Sequence, residues 1–243
     1  MPMEAVILAG GKGTRLAPYT TVIPKPLVPV GDMAVMEIVV NQLARAGCTR
    51  VTVAVSHLAQ LIQAYFGDGS KWGLAIDYSV EDQPLSTIGP LRLIDNLPEN
   101  FLVMNGDVLT DLDLAGFFAA HVSSKAQATI ATYRRDVKVD FGVLESARDG
   151  RLTRFAEKPI EHFHVSMGVY AFSRAILELV PSGKPYGFDQ LMLDMIAAGR
   201  DVRCRRHDGY WLDIGRPDDY QAACEQFEKM RGALLGPPKS AKG

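Results

Sequence analysis

Met3-Glu4-Ala5-Val6-Ile7-Leu8-Ala9-Gly10-Gly11-Lys12-Gly13-Thr14-Arg15-Leu16 begins as a short aliphatic run and ends in glycines. The run Met3–Ala9 has the length and β-branched content of a strand, and is too short for a signal-peptide core or a membrane span. The three glycines behind it permit positive φ and let backbone N–H groups approach an anion closely, as a phosphate cradle requires. Two familiar phosphate loops fail against it. A Walker A motif needs a glycine where Val6 stands, and a dinucleotide fingerprint would place its third glycine at Leu16 with no clear ribose-binding acid beyond.

Working outward, further short apolar runs alternate with helical spacing. Val51–Ser56, Leu74–Ser79 and Phe101–Asn105 read as strands; Val35–Ala46, Leu58–Phe66 and Leu91–Leu97 read as helices, with Gly47 as a stop. Strand–helix alternation implies parallel strands with right-handed crossovers, hence an α/β sheet covered on both faces, with ligands outside the carboxyl ends of the strands. Past residue 125 the runs Ala126–Tyr133, Phe141–Glu145, Leu152–Phe155 and Val165–Phe172 follow each other with short links, as in an antiparallel region added to the same sheet. A helical pattern over Leu114–Ala120 precedes that region, and others return at Arg174–Val180, Asp189–Ala198 and Pro217–Met230. The fold class expected is therefore α/β, a Rossmann-like, mixed but mainly parallel sheet flanked by helices in a single domain. Residues 1–231 make that domain, and 232–243 read as a disordered tail.

Composition narrows the function. The chain has 243 residues with 26 basic and 28 acidic side chains, a formal charge of −2, and a 47% hydrophobic content ample for a sizeable core. That balance supplies no broad field for nucleic acid or an anionic membrane, and neither is expected as a partner. Cys48, Cys204 and Cys224 are odd in number and widely spaced, so they form no disulfide framework and no zinc pattern; a reducing cytoplasm follows as the expected location. Cys204, inside Val202-Arg203-Cys204-Arg205-Arg206, reads as a bland thiol rather than a nucleophile, and His162 and His164 as solvent-facing.

Twelve residues after Gly13 comes Lys25, in Ile23-Pro24-Lys25-Pro26-Leu27, where flanking prolines stiffen the backbone around it and aim its ammonium. Gly-Gly-x-Gly-Thr-Arg-Leu followed by Pro-Lys-Pro resembles the signature of the sugar-1-phosphate nucleotidylyltransferases; within that family the stretches Gln83–Leu91 and Gly209–Tyr220 look most like the mannose-1-phosphate and heptose-1-phosphate guanylyltransferases. That resemblance implies a nucleotidyltransferase domain of the GT-A-like kind. It assigns Leu8, Gly10, Gly11, Gly13 and Thr14 to the nucleotide, Arg15 and Lys25 to the phosphates, and Asp107 and Asp213 to a Mg²⁺ ion. Gln83-Pro84-Leu85-Ser86-Thr87-Ile88-Gly89 resembles the family's nucleobase loop, with Gln83 and Gly89 reading the base; Ser86 and Ile88 replace the usual glycine and alanine. Gly142, Glu157, Lys158 and Ser166 fall at the sugar-side positions, Ser166 where most relatives have asparagine. A rival carboxylate pair, Asp111 and Asp113, resembles the D-x-D of glycosyltransferases, although Asp113 also stands as a helix N-cap.

The reaction so implied moves a nucleotidyl group from a nucleoside triphosphate, GTP by preference, to a mannose- or heptose-type sugar 1-phosphate. Uridylyl or thymidylyl transfer to a hexose or amino-sugar phosphate is the near alternative, and a non-catalytic nucleotide-sugar-binding subunit the alternative of another class. The length leaves no room for the C-terminal β-helix that many relatives append, so a bare transferase domain is expected, with a homo-oligomer left open.

Overall fold

A computed structural model describes residues 2–236 of the chain. The strands, in chain order, are β1 Met3–Leu8, β2 Pro29–Val30, β3 Met33–Ala34, β4 Cys48–Val55, β5 Ala75–Val80, β6 Asn100–Asn105, β7 Val108–Thr110, β8 Ala128–Lys138, β9 Val143–Ser146, β10 Leu152–Ala156, β11 Ile160–Ser173, β12 Val202–His207 and β13 Trp211–Asp213. The helices are α1 Val35–Arg45, α2 Ala59–Phe66, α3 Leu114–Ser124, α4 Phe188–Ala197 and α5 Pro217–Leu235. Seven strands form the central sheet in the order β12-β8-β11-β6-β1-β4-β5. β5, β4, β1 and β6 pair in parallel; β11 runs antiparallel to both β6 and β8, and β12 is parallel to β8. The mixed, mainly parallel sheet of the sequence reading is thus the observed one.

Burial on both faces explains the unbroken apolar runs. In β1, Ala5 and Ile7 join Met36, Val40 and Leu43 of α1, Ile62 of α2 and Phe117 of α3 in one core layer. Val6 points the other way, into a layer with Ile88, Leu91, Phe101, Phe172 and, from α4, Leu191 and Met195. A third cluster gathers Leu16, Val30, Ile38, Leu109, Ile214, Phe227 and Leu234, where α5 closes over the start of the chain. Leu234 lies inside that cluster, so α5 continues to Leu235, past the expected boundary at 231. The remainder of the expected tail, 237–243, lies outside the described residues.

Other departures have local causes. The helix expected at Leu91–Leu97 is a 3-10 turn over Gly89–Leu93; Asn96 takes a left-handed φ of 60°, and Pro98 disfavours helix at the residue before it. Arg174–Glu178 is likewise 3-10 and stops short of Pro181. β8 and β11 run five residues beyond their buried halves as an exposed ladder of charged and apolar side chains, which apolar periodicity alone does not register. The arginine-rich Val202–Arg206 is an edge strand, where charge discourages pairing with another sheet, and Cys204 is exposed on it. Asp113 caps α3 by accepting from Gly116 N at 3.0 Å, while Asp111 accepts from Tyr210 N at 2.7 Å and contacts His207 Nε2 at 2.8 Å. The D-x-D carboxylates are therefore occupied in holding the fold. Among the described residues no helix is long and apolar enough to cross a membrane.

His121 of α3 is buried with its Nδ1 2.8 Å from Thr129 Oγ1 of β8, and its Nε2 has no partner. Burial holds this imidazole below its ordinary range, so the folded chain keeps it neutral while the unfolded chain takes up a proton near pH 6.5. Its contribution is complete above that pH and is lost as the pH falls, by up to about 1.4 kcal/mol per pH unit for one proton. Urea unfolding of the native chain at pH 7.5 and 5.5 should show the loss, and His121→Gln should lose less over the same interval.

Candidate active site

Two loops leave neighbouring strands at their carboxyl ends: Ala9–Leu16 after β1, and Gly106-Asp107 after β6. Leu8 and Asn105 are partners in the ladder, and Gly106 N donates to Leu8 O at 3.0 Å, so both loops open on one crevice. β4 lies on the other side of β1, so the chain reverses its direction of travel here, the position where open α/β sheets take their ligands. A cleft of about 500 Å³ opens at this point, within the usual size for a small-molecule site. Of the residues singled out in the sequence, Leu8, Gly10, Gly11, Gly13, Thr14, Arg15, Lys25 and Asp107 line it.

Gly13 has φ 63°, and a Cβ there would stand 3.0 Å from Thr20 Cγ2 and 3.1 Å from Lys25 Cβ. The Pro-Lys-Pro segment packs against the loop through that missing side chain, and Thr20 Oγ1 secures it by donating to Gly13 O at 2.7 Å. Lys25 opens a 3-10 turn with Pro24 as its cap and Pro26 buried behind it. Its ammonium forms an ion pair with Asp107 Oδ2, both side chains being largely buried.

Asp213 ends β13, whose pairing with β7 sets it opposite Val108; Ile214 N donates to the Asp107 carbonyl at 3.1 Å. Burial, then the Asp107 charge, pushes the Asp213 carboxyl above its usual range, while Lys25 and Arg15 pull the other way. Asp107 Oδ1 is buried with no hydrogen-bond partner. Two carboxylates that repel each other, one with an orphaned oxygen, suit a hard divalent cation that takes its other ligands from phosphate and water. Gly215 stands beside this group, since a Cβ there would meet Asp213 Oδ2 at 3.4 Å and Arg15 Nη2 at 3.6 Å, ordinary contact distances.

Across the cleft, Glu81 was not singled out by the sequence. It is buried, its Oε2 accepts from Leu85 N at 2.8 Å, and a Cβ on Gly10 would come within 2.6 Å of its Oε1. Burial raises this carboxyl above its ordinary range. The available signal was its position directly after β5, at the carboxyl end of a parallel strand. Gln83 and Gly89 do not line the cleft. The Gln83 amide donates to Gly183 O at 3.3 Å, and Gly89 N is committed to Tyr186 O at 2.9 Å, its Cα hydrogens packed against Leu85 and the Lys184 carbonyl. Ser86, Thr87 and Pro90 supply that wall instead, Ser86 at a left-handed φ of 67° that glycine takes without strain.

The sugar-side set gathers only in part. A Cβ on Gly142 would lie 3.2 Å from Glu157 Oε2, so these two meet, and Lys158 follows with φ 44°. Glu157 and Lys158 are exposed, and none of the four lines the 500 Å³ cleft. Ser166 sits at an irregularity of β11, accepting from Gly168 N at 3.3 Å and donating to Tyr170 Oη at 3.1 Å.

The chain belongs to the nucleotidyl transferase family, whose model matches residues 4–230. It is 34% identical, over 96% of its length, to a UTP–glucose-1-phosphate uridylyltransferase of Synechocystis, and 32% identical, over 90%, to a mannose-1-phosphate guanylyltransferase of Mycobacterium tuberculosis. It spans 63% and 62% of those two proteins' lengths. The crystal structure of HddC from Yersinia pseudotuberculosis superposes with a TM-score of 0.71 at 28% identity, covering 93% of this chain and 99% of that one; HddC has also been solved in complex with GMP-PN. The resemblance drawn from the glycine loop and Pro-Lys-Pro is borne out at the level of the family.

Gly13→Ala tests the loop's construction. Strain at positive φ together with the close approach of Thr20 and Lys25 should cost about 1–3 kcal/mol in a denaturant titration.

Proposed function

We propose that the chain catalyses nucleotidyl transfer from a nucleoside triphosphate to a sugar 1-phosphate, releasing pyrophosphate. The observation that carries this reading is the meeting of the glycine loop, Arg15, Lys25 and Asp107 at one crevice, with Asp213 behind them within reach of their charges. An oxygen of the sugar phosphate attacks the α-phosphorus, the bond from that phosphorus to the β-phosphate bridge breaks, and pyrophosphate leaves. The attacking oxygen is already ionised at neutral pH, so the chemistry calls for positioning and charge neutralisation rather than a general base. The Gly10–Thr14 backbone cradles the β- and γ-phosphates, and the planar fork of Arg15 binds them. Lys25, held by Asp107, faces the charge that builds around the α-phosphorus. Asp107 and Asp213 would hold Mg²⁺, which when bound supplies positive charge to the two phosphate groups brought together. Lys158 and Glu157 on their exposed segment receive the sugar phosphate and sugar hydroxyls, with Gly142 and Ser166 beside them.

Glu81 favours GTP. Guanine presents the adjacent donors N1–H and N2–H₂, which one carboxylate accepts together, whereas uracil and thymine flank a single N–H with two carbonyl oxygens that a carboxylate repels. A mannose- or heptose-type 1-phosphate is the acceptor we favour, and UTP with glucose 1-phosphate is the second reading, on the likeness to the Synechocystis protein. A non-catalytic binding subunit would have no need of Arg15, Lys25, Asp107 and Asp213 together. The three unpaired thiols suit a reducing cytoplasm, and neither nucleic acid nor membrane is a partner in this reading.

Pyrophosphate release, assayed with each NTP against a panel of sugar 1-phosphates with and without Mg²⁺, should be metal-dependent and fastest with GTP. No release with any pair would leave the binding-subunit reading instead. Arg15→Ala should lower turnover by about 10²–10³ with the fold intact, as for loss of a donor to transition-state charge. Glu81→Gln should cut kcat/KM for GTP by roughly 10–100-fold, the size of one lost charge-assisted hydrogen bond, and affect UTP little.

A further inference from the structure

We propose that the Ser56 hydroxyl reads O6 of guanine and completes, with Glu81, a two-residue clamp on the base edge, an assignment that rests on the GTP reading of the same cleft. Ser56 is the first residue past β4, as Glu81 is the first past β5. Val55 and Val80 form the last rung of that parallel ladder, and Glu81 N donates to Val55 O at 2.9 Å, so the two side chains leave adjacent strands together. Neighbouring strands lie about 4.8 Å apart, which sets Ser56 and Glu81 side by side. Both line the cleft, with Ala54 two residues before Ser56, as strand alternation requires. Gly10, in the loop after β1, meets the pair from below. A Cβ on it would stand 2.6 Å from Glu81 Oε1 and 3.5 Å from Ser56 Cβ. A carboxylate and a hydroxyl thus share one floor.

The base edge asks for this combination. Guanine carries in order the N2 amino group, N1–H and the O6 acceptor. With Glu81 accepting from the first two, O6 needs a donor beside the carboxylate, and leaving it unpaired on binding would cost affinity. Backbone donors on the opposite wall are already committed: Leu85 N to Glu81 Oε2 at 2.8 Å, and Ile88 N and Gly89 N to Tyr186 O at 2.9 Å. The hydroxyls of that wall sit against the segment that follows. Thr87 Oγ1 accepts from Phe188 N at 2.8 Å, and Ser86 Oγ lies 3.4 Å from where a Cβ on Gly187 would stand. Ser56 remains, half-buried at the cleft, with an O–H that rotates to donate. Adenine would present an unprotonated N1 to Glu81, and uracil or thymine a carbonyl, so the pair refuses all three.

Binding, rather than turnover, separates the two contacts. The 243-residue chain is titrated with GTP, ITP and 2-aminopurine riboside triphosphate, each with Mg²⁺. ITP keeps O6 and lacks the N2 amino group; the aminopurine nucleotide keeps the amino group and lacks O6. Ser56→Ala should weaken GTP and ITP alike by about 3–10-fold, the size of one neutral hydrogen bond, and leave the aminopurine nucleotide unchanged. Ser56→Thr keeps the hydroxyl and should hold GTP at the native affinity. Equal weakening of all three nucleotides by Ser56→Ala overturns the assignment and gives the hydroxyl to the ribose or the phosphates. No weakening of any of them overturns it as well. Both of those results leave a native preference for GTP intact. A native chain that binds UTP more tightly than GTP overturns the guanine reading itself, and the role of Ser56 with it.

Discussion

Parallel pairing of β1 with β4 on one side and β6 on the other is the constraint from which the rest of the site follows. A strand flanked in this way must be apolar on both faces, and Ala5, Val6 and Ile7 are almost wholly inaccessible to solvent. It must also release its chain at the same edge as its neighbours. The glycine loop, Asp107 and Glu81 therefore arrive at one crevice from three strands, β1, β6 and β5, whose order in the sheet differs from their order in the sequence. Strand pairing thus brings the charges together at one place.

That convergence is electrostatically costly without counter-charge, and the structure supplies it locally. Lys25 neutralises Asp107, and its flanking prolines limit the side-chain and backbone freedom lost in doing so. Asp213 feels burial and the Asp107 charge together, against the opposing pull of Lys25 and Arg15. Such an arrangement is poised for a polyphosphate with its cation, because each incoming charge meets an opposite one already fixed in place. Glu81 lies apart from these, against Gly10 of the glycine loop, and lines the cleft.

Legibility followed the range of the interactions involved. The strands β1, β4, β5 and β6, the helices α1 and α2, and the glycine loop depend on local periodicity and on φ, so their residues announce them. Polar strands do not: β12 alternates arginines because it is an edge, and β7 and β13 are three residues each, given meaning only by pairing across a hundred positions. The helix read at Leu91–Leu97 yields to Pro98, and α5 outlasts its apparent end because Leu234 finds a core pocket formed by distant segments. Within the site, the residues read on the loop after β1 line the cleft. Gln83 and Gly89 do not line it, since whether a loop turns a given side chain inward depends on what the next segment, Lys184–Tyr186, already occupies.

From the sequence alone came the α/β class, carried by strand–helix alternation along the chain, the phosphate-cradling loop with its stiffened lysine, and, through the resemblance of that loop, the membership of a nucleotidyltransferase family. Tertiary structure alone decided that Asp107 pairs with Lys25 and neighbours Asp213, and that Glu81 reaches the cleft. The physical reason is that those outcomes turn on burial and charge shared between segments far apart in the chain, quantities that exist only once the sheet has brought the segments together.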